Sequence, residues 1–228
     1  MNVALRNALA ELLLTALRSP EKAQALHLLV AYCVRAAEGS PGVTLDALGL
    51  EGLQKGLTTL TDLGLFRIED GAIELLPEFQ ADRSTIRTKA EVYERVLARV
   101  SQVEGEGVGR ALKEAAALFN EGLYFEVHEL LEACWMPEED LLKKRFLQGL
   151  IQIAVAFHHL LNGNYEGAVS LLKEGAEKVK GYRPSYLGVE LEGFFKGIAR
   201  CGEALEQLGP HGLKAFDHSI IPNMDVRC

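Results

Sequence analysis

Hydrophobic residues recur at helical spacing along most of the chain. The N-terminal segment illustrates the pattern, because its leucine and alanine side chains repeat every three or four positions and fall on one face. The residues on that face are Leu5, Leu9, Leu12, Ala16 and Leu17. Glu11 interrupts the apolar run and no small-residue cleavage site follows, so the pattern predicts an amphipathic helix rather than a signal peptide.

Capping residues mark three further helices. Ser19 can cap a helix that runs to about Ala37, and Thr44 can cap a short helix that ends near Gly49. A third helix is predicted over residues 51–63, where leucines repeat on one face and a glycine follows the last of them. These three helices and the N-terminal helix therefore precede the first change of period.

The period then changes from helical to alternating. Residues 65–69 and 72–76 are predicted as two short strands. They flank Asp70-Gly71, a two-residue loop that favours the type I′ turn of a tight β-hairpin. Helix, short helix, helix and hairpin in this order resemble a winged helix-turn-helix domain, which would cover roughly residues 20–79.

The winged-helix resemblance does not by itself predict DNA binding. A recognition helix contacts base edges through Arg, Lys, Asn or Gln, and the third helix offers Gln54 and Lys55 but no arginine. The hairpin adds Arg67. Residues 1–100 carry 11 basic and 13 acidic side chains, so this part of the chain is not attracted to phosphate. DNA contact is therefore possible but disfavoured by charge, and a protein-interaction or structural role is favoured.

The middle of the chain is predicted to connect two domains. Asp82 or Ser84 can cap a helix that reaches about Val100, and three glycines within residues 101–109 then form a linker. The predicted organisation is a winged-helix-like domain over residues 1–80, a linker helix and glycine-rich linker over 81–109, a helical domain over 110–209 and a C-terminal tail over 210–228.

The second half of the chain is predicted to be helical up to its tail and carries a weak internal repeat. With an offset of 41 residues, Gly122 aligns with Gly163 and Tyr124 with Tyr165, so that a helix, a Gly-x-Tyr corner and a second helix occur twice. Two such hairpins are too few for an open solenoid. The sequence therefore predicts a mainly α protein with an all-α helical bundle at its C-terminal end and strand confined to the hairpin around Asp70.

One helix of this bundle is predicted to lie at its centre. It starts after Pro137 and runs to about Leu161, and its middle section is apolar on nearly every face. The polar exceptions Gln148, Gln152 and His159 fall on one stripe of that helix. Amides and an imidazole in an otherwise apolar helix make this stripe a candidate ligand surface.

Three sequence blocks of this half resemble a known family. FNEGLYFEVHELLEACW, FLQGLIQIAVAFHHLLNGNYEGAVSLL and RPSYLGVEL occur in the order seen in the domain-of-unknown-function family 309, and they span roughly residues 110–208. The residues that match the family's pattern are Phe119, Asn120, Glu126, His128, Glu129, Glu132, Trp135, Gly149, Leu150, Ile151 and Gln152. The resemblance implies a small all-helical fold of the kind found in bacteria, archaea and plastids, without an established activity.

Two polar residues in these blocks, His128 and Glu132, lie one helical turn apart on one face, and Glu126 and Glu129 are expected on other faces. The repeat aligns His128 with Val169, so we expect the histidine to face the interior. Its simplest role is that of a buried imidazole that pairs with a carboxylate. The amides of Gln148 and Gln152 would complete the hydrogen bonds and fix the register of two helices.

Two functional interpretations use the same groups. In the first, His128, Glu132 and His159 bind one divalent metal ion and leave a position for water, although the chain lacks a His-Glu-x-x-His motif. In the second, a metal-free pocket for a small molecule lies beside the same helix. The candidate pocket residues are Tyr124, His128, Glu132, Trp135, Gln148, Gln152 and His159.

Composition narrows the range of functions. Hydrophobic residues make up 48% and charged residues 25%, as in ordinary globular proteins. The net charge of -8 gives no attraction to nucleic acid or anionic lipid. The four cysteines form no Cys-x-x-Cys pair, which favours free thiols in a reducing, cytoplasmic setting. Because no apolar stretch reaches the roughly 20 residues that span a bilayer, no membrane partner is expected.

Catalytic motifs are scarce. The sequence has no serine-nucleophile motif, phosphate-binding glycine loop or dinucleotide fingerprint. The favoured function is that of a non-catalytic cytoplasmic binding or adaptor module, with a regulatory role open, no cofactor, and a protein partner or a second copy as its ligand. The alternatives are a metal-dependent hydrolase that uses the three metal ligands named above and a DNA-binding transcriptional regulator.

Overall fold

The chain folds into two compact units, which comprise residues 1–102 and 103–228 and are described separately. The computed structural model describes residues 2–18, 20–36, 42–48, 54–101 and 103–227. Ten α-helices dominate this described part of the chain, which confirms the prediction of a mainly α protein. Several sequence predictions lie outside the described residues, namely the cap Ser19, the helix ends near Ala37 and Gly49, the helix start at residues 51–53 and the thiol of Cys228.

The first unit contains five helices and a small sheet. The helices are α1 (Val3–Arg18), α2 (Pro20–Arg35), α3 (Leu45–Leu48), α4 (Gln54–Asp62) and α5 (Arg83–Val100). Helix α2 is central, because α1, α4 and α5 all pack against it. The apolar face predicted for α1 is buried. Helix α5, which the sequence suggested as a connection, lies within this unit and buries Tyr93 and Val96.

The predicted hairpin is present at the predicted loop. Strands β2 (Phe66–Glu69) and β3 (Ala72–Leu75) pair in antiparallel register around Asp70 and Gly71, which both have positive φ angles as a type I′ turn requires. A further strand, β1 (Gly42–Thr44), pairs with the other edge of β3 and gives the order β1-β3-β2. The prediction that strand is confined to the hairpin is therefore wrong. Strand β1 was missed because three residues are too few to show an alternating period.

The second unit contains five helices joined by short corners. They are α6 (Gly107–Asn120), α7 (Tyr124–Trp135), α8 (Leu141–Leu161), α9 (Tyr165–Val179) and α10 (Leu191–Gly212). Strands β4 (Ser185–Tyr186) and β5 (Val189–Glu190) form a two-residue ladder between α9 and α10. Up to its tail, the second half of the chain is thus helical except for the corners and this ladder, whose strands are again too short to be recognised by period.

The repeated corners have the same backbone conformation. Gly122 and Gly163 both have a φ of 74°, and in each case a tyrosine starts the next helix two residues later. This left-handed conformation is the usual helix stop, and glycine adopts it without steric cost. The aligned Gly-x-Tyr corners therefore end one helix and start the next in both hairpins, as predicted.

Helix α8 lies between α7 and α9 and is the centre of the bundle. It begins at Leu141 rather than directly after Pro137, because the carboxylate of Asp140 accepts hydrogen bonds from the backbone N–H groups of Leu142 and Lys143. On the α7 side, the rings of Phe119, Tyr124, Phe157 and Phe194 pack edge to face or tilted at centroid distances of 5.0 to 5.7 Å. These rings form an aromatic core at one end of the unit.

The C-terminal segment packs on this unit. The Asn120 side-chain amide donates to the backbone carbonyl of Met224 at 3.0 Å and accepts from its backbone N–H at 2.7 Å. Met224 is buried, and Val226 forms a bridge with Val189 of β5. The predicted tail is thus a strap that a side chain of α6 holds in place. None of the described helices combines the length and apolar character that crossing a bilayer requires.

Candidate metal and ligand site

The candidate site lies on α7, which presents two different faces. One face is buried and includes Tyr124, Val127 and Leu131, together with the carboxylate of Glu126, which is 1% exposed. The other face carries His128 and Glu132 and is only partly covered. Glu126 belongs to the family pattern but was not among the predicted site residues.

Both ring nitrogens of His128 face carboxylates. Nδ1 lies 3.2 Å from Glu129 Oε1, and Nε2 lies 3.5 Å from Glu132 Oε2. The three side chains are 26%, 39% and 42% exposed respectively. The expectation that Glu129 points to another face is wrong, because its long side chain swings back to the adjacent imidazole.

The prediction that His128 is buried is also wrong. It rested on the alignment of His128 with Val169, but Val169 is itself only half-buried. Spacing along one helix predicts which residues share a face, but not how far neighbouring helices cover that face. A partly exposed imidazole between two partly exposed carboxylates is a surface group rather than a buried structural pair.

The three side chains can act together as metal ligands. One possible ligand atom from each of His128, Glu129 and Glu132 lies within 4.8 Å of the other two, and this is the one such group of three that the described residues form. An imidazole nitrogen and two carboxylate oxygens are a donor set that suits first-row divalent cations. The partial exposure of the group leaves room for solvent or a further ligand.

His159, the third predicted metal ligand, lies outside this group. Its Nδ1 is 3.1 Å from the Asn164 side-chain nitrogen, and its ring packs closely beneath Gly167. Asn164 is the residue that caps α9. The imidazole of His159 therefore belongs to the corner between α8 and α9.

An aromatic contact connects α7 and α8 beside the cluster. The Phe125 ring lies 6.0 Å from the His128 ring and 5.4 Å from the His158 ring, measured between centroids. Sequence spacing did not predict this contact. The packing of α7 against α8 was the missing information, because it brings residues far apart in sequence together.

Trp135 ends α7 and contacts a lysine of the next helix. Lys144 Nζ lies 5.0 Å from the centre of the Trp135 ring and donates to the backbone carbonyls of Met136 and Glu138. The lysine therefore caps the carbonyl end of α7 and makes a cation–π contact. This arrangement stabilises the end of the helix that carries the candidate ligands.

The two central amides do not contact His128 as predicted. The Gln152 side chain donates to Glu174 at 2.8 Å and accepts from Lys178 at 2.7 Å, so it connects α8 to α9. Gln148 is half-buried on the same helix. Gln152 therefore faces α9 and takes no part in the amide network that was expected around His128.

The residues predicted to line an organic pocket have different neighbours. Tyr124 is buried against Phe119 and Phe157, and burial raises the pKa of its hydroxyl to about 12. Gln152 contacts α9, whereas Trp135 lies against Lys144. The residues predicted to line one pocket thus take part in three separate contacts.

The DNA-contact candidates lie in the first unit. Gln54 and Lys55 are exposed at the start of α4. The Arg67 guanidinium donates two hydrogen bonds to Glu74, at 3.1 and 2.8 Å, and lies 2.9 Å from Glu69. The one arginine of the hairpin is therefore neutralised by carboxylates of its own sheet.

The candidate site lies within a segment of the chain that matches a known family model. Residues 112–171, which include all of α7 and α8, match the family model described as "Domain of unknown function (DUF309)". The uncharacterised protein YpuF of Bacillus subtilis (strain 168) is 43% identical over 106 residues, which is 46% of this chain and 58% of YpuF. An uncharacterised protein of Aquifex aeolicus (strain VF5) is 29% identical over 80 residues, which is 35% of this chain and 24% of that protein.

These matches support the family resemblance for part of the chain. The chain spans just over half of the length of one relative and about a quarter of the other. No solved structure matches. The relatives are themselves uncharacterised, so the function has to be argued from the side chains.

Proposed function

We propose that the protein is a non-catalytic binding module whose helical unit binds a divalent cation at His128, Glu129 and Glu132. The observation that carries this proposal is the approach of three possible ligand atoms to within 4.8 Å on a partly exposed helix face. Of the three interpretations of the polar cluster, the buried pair is disfavoured because the His128 side chain is partly exposed. The organic pocket is disfavoured because its predicted lining residues take part in separate contacts. The metal interpretation retains its first two ligands and gains Glu129 as a third.

Binding of a single ion requires rotation of the side chains. A first-row cation takes imidazole nitrogen and carboxylate oxygen at about 2.0 to 2.2 Å. A single ion takes one ring nitrogen of His128, so a side chain has to rotate from the present arrangement, in which Glu129 lies 3.2 Å from Nδ1 and Glu132 lies 3.5 Å from Nε2. Because both carboxylates are anionic, they also favour the cation electrostatically.

Binding is favoured over hydrolysis. A hydrolase of the predicted kind needs His159 as a ligand from the second helix, and that imidazole lies at the α8–α9 corner instead. A single helix that supplies all three ligands leaves one side of the ion open and gives no enclosed cavity for a substrate. This arrangement suits a regulatory or structural cation.

The first unit supports a protein-binding rather than a DNA-binding role. Helix α2, strand β1, helices α3 and α4 and the β2–β3 hairpin follow one another in winged-helix order, and the sheet order β1-β3-β2 agrees with that fold. The carboxylates of Glu69 and Glu74 neutralise Arg67, which is the cation a wing would offer to phosphate. An adaptor domain is therefore the favoured use of this winged-helix-like unit.

Tryptophan fluorescence tests the cation site. Trp135 is the single tryptophan of the chain and lies three residues after Glu132. Chelator-treated protein titrated with the paramagnetic ion Co²⁺ should show saturable quenching, and the His128→Ala variant should lose it. His211→Ala, which changes an exposed histidine of the same unit, is the matched control and should behave as wild type. Equal quenching of all three proteins would refute the proposal.

A duplex titration tests the role of the first unit. Fluorescence anisotropy with mixed-sequence duplexes is measured at low salt, because electrostatic attraction to DNA is strongest there. We expect no binding even under this condition. Salt-sensitive binding at low salt would favour a DNA-binding regulator over an adaptor.

A further inference from the structure

A groove runs between α9 and α10 of the second unit, away from the candidate cation site. It encloses about 230 Å³, and its floor includes Leu172 and Ala176 from α9 and Phe195, Ile198 and Gly202 from α10. Phe195 is only half-buried at this groove. With the 41-residue offset of the internal repeat, the groove residues Val169 and Lys173 of α9 align with His128 and Glu132 of α7.

Charged residues of opposite sign form the two rims. Lys173 projects from α9 on one side, and Glu203 and Glu206 lie one turn apart on α10 on the other side. All three are exposed, and within the described part of the chain none of them forms a hydrogen bond or an ion pair. The rims therefore present unneutralised charge on either side of an apolar floor.

Gly202 keeps the groove open. A Cβ atom at this position would meet nothing within 4 Å, so the packing of the chain itself does not require glycine here. Glycine is also a poor residue for the interior of a helix. A surface that approaches the α10 backbone closely from outside would explain why the position carries no side chain.

We propose that this groove is the interface with a second copy of the chain, related to the first by a twofold axis. Rotation about a twofold axis that runs along the groove exchanges the rims, so that Lys173 of each copy faces Glu203 and Glu206 of the other. The two α9–α10 pairs would form a four-helix interface with apolar residues at its centre and ion pairs at both edges.

The charge pattern favours a second copy over an unrelated partner. A partner surface of one sign would be attracted by one rim and repelled by the other. The groove is self-complementary, because each copy supplies the charges that the other lacks. This inference does not depend on cation binding by His128, and its test is therefore made in the presence of a chelator.

Sedimentation velocity of the full chain in EDTA provides the test. We expect a concentration-dependent shift from the 25.0 kDa monomer toward the dimer, with a Kd of about 1 to 100 µM, as for modest interfaces. Lys173→Glu should raise the Kd at least tenfold, and so should Glu203→Lys combined with Glu206→Lys. The triple variant that swaps all three charges should recover the wild-type Kd to within about threefold. Lys214→Glu, an exposed substitution elsewhere in the unit, should leave the Kd unchanged.

Gly202→Leu gives an independent arm of the experiment. The monomer has space for the new side chain, so the variant should fold with wild-type helicity but fail to dimerise. A wild-type chain that stays monomeric at about 100 µM would overturn the proposal. A dimer that tolerates both Gly202→Leu and Lys173→Glu, or that the charge swap does not restore, would also overturn it.

Discussion

Substitution of Gly175 by alanine should destabilise the second unit, because this glycine lies where α8 and α9 cross most closely. A Cβ atom at Gly175 would lie 2.7 Å from the backbone oxygen of Gly149 and 3.0 Å from the backbone nitrogen of Ile153. Both are backbone atoms of α8, so neither can rotate away. The two helices would have to separate by several tenths of an ångström along their contact.

The size of the effect follows from two opposing terms. Alanine improves helix propensity over glycine by about 1 kcal/mol. Overpacking of a close-packed interior costs about 1 to 3 kcal/mol, and we expect the upper end of that range because the obstructing atoms are backbone. The net loss in the free energy of unfolding at Gly175 is therefore about 2 kcal/mol, which corresponds to a fall in melting temperature of about 6 °C.

Two matched glycine substitutions control this experiment, and urea unfolding followed by circular dichroism is the assay. Gly193→Ala, where a Cβ meets nothing within 4 Å, should be neutral or stabilising by up to about 1 kcal/mol. Gly149→Ala should fall between the two, because its closest contact is a methyl group of Val179. If Gly175→Ala is as stable as wild type or as Gly193→Ala, the close crossing of α8 and α9 is refuted.

Three further predictions concern local contacts. Replacement of Asp140 by alanine removes the cap of α8 and should lower the free energy of unfolding by about 1 kcal/mol in urea, whereas Asp140→Asn should retain most of it. Burial raises the pKa of the Cys201 thiol to about 11 from an ordinary 9.0, so the stabilising contribution of the neutral thiol is complete below pH 9 and is lost as the pH rises through 11. In urea unfolding, the free energy of unfolding of Cys201→Ala should therefore decline less steeply than that of wild type over this interval. An identical pH profile for the two proteins would contradict this. Replacement of Glu69 and Glu74 by glutamine frees Arg67 and should increase duplex binding at low salt in an anisotropy assay, and an unchanged anisotropy would show that these carboxylates do not mask it.

The fold was predictable where local chemistry determines the conformation. Asp70-Gly71 specifies a type I′ turn by itself, and Gly122 and Gly163 specify helix stops, so the hairpin and both corners were found from sequence. Strands β1, β4 and β5 have two or three residues each and carry no period, so they were missed. Their pairing depends on neighbours that sequence spacing does not reveal.

The candidate site was only partly predictable for the same reason. The i, i+4 spacing correctly brought His128 and Glu132 together on α7. The exposure of that face depends on how α8 covers it, and the side-chain direction of Glu129 depends on its rotamer, which spacing does not determine. His159 was placed with the cluster because it shares a stripe with Gln152, but the contact with Asn164 turns its ring toward the next corner.

The central claim is that His128, Glu129 and Glu132 bind a divalent cation, and isothermal titration of chelator-stripped protein with Zn²⁺ tests it most directly. We expect saturable binding at one ion per chain, loss of that binding in His128→Ala, and a reduced affinity in Glu129→Gln and Glu132→Gln. The control His211→Ala should titrate as wild type. Absence of saturable binding to the wild-type protein, or binding that His128→Ala leaves unchanged, would contradict the proposal.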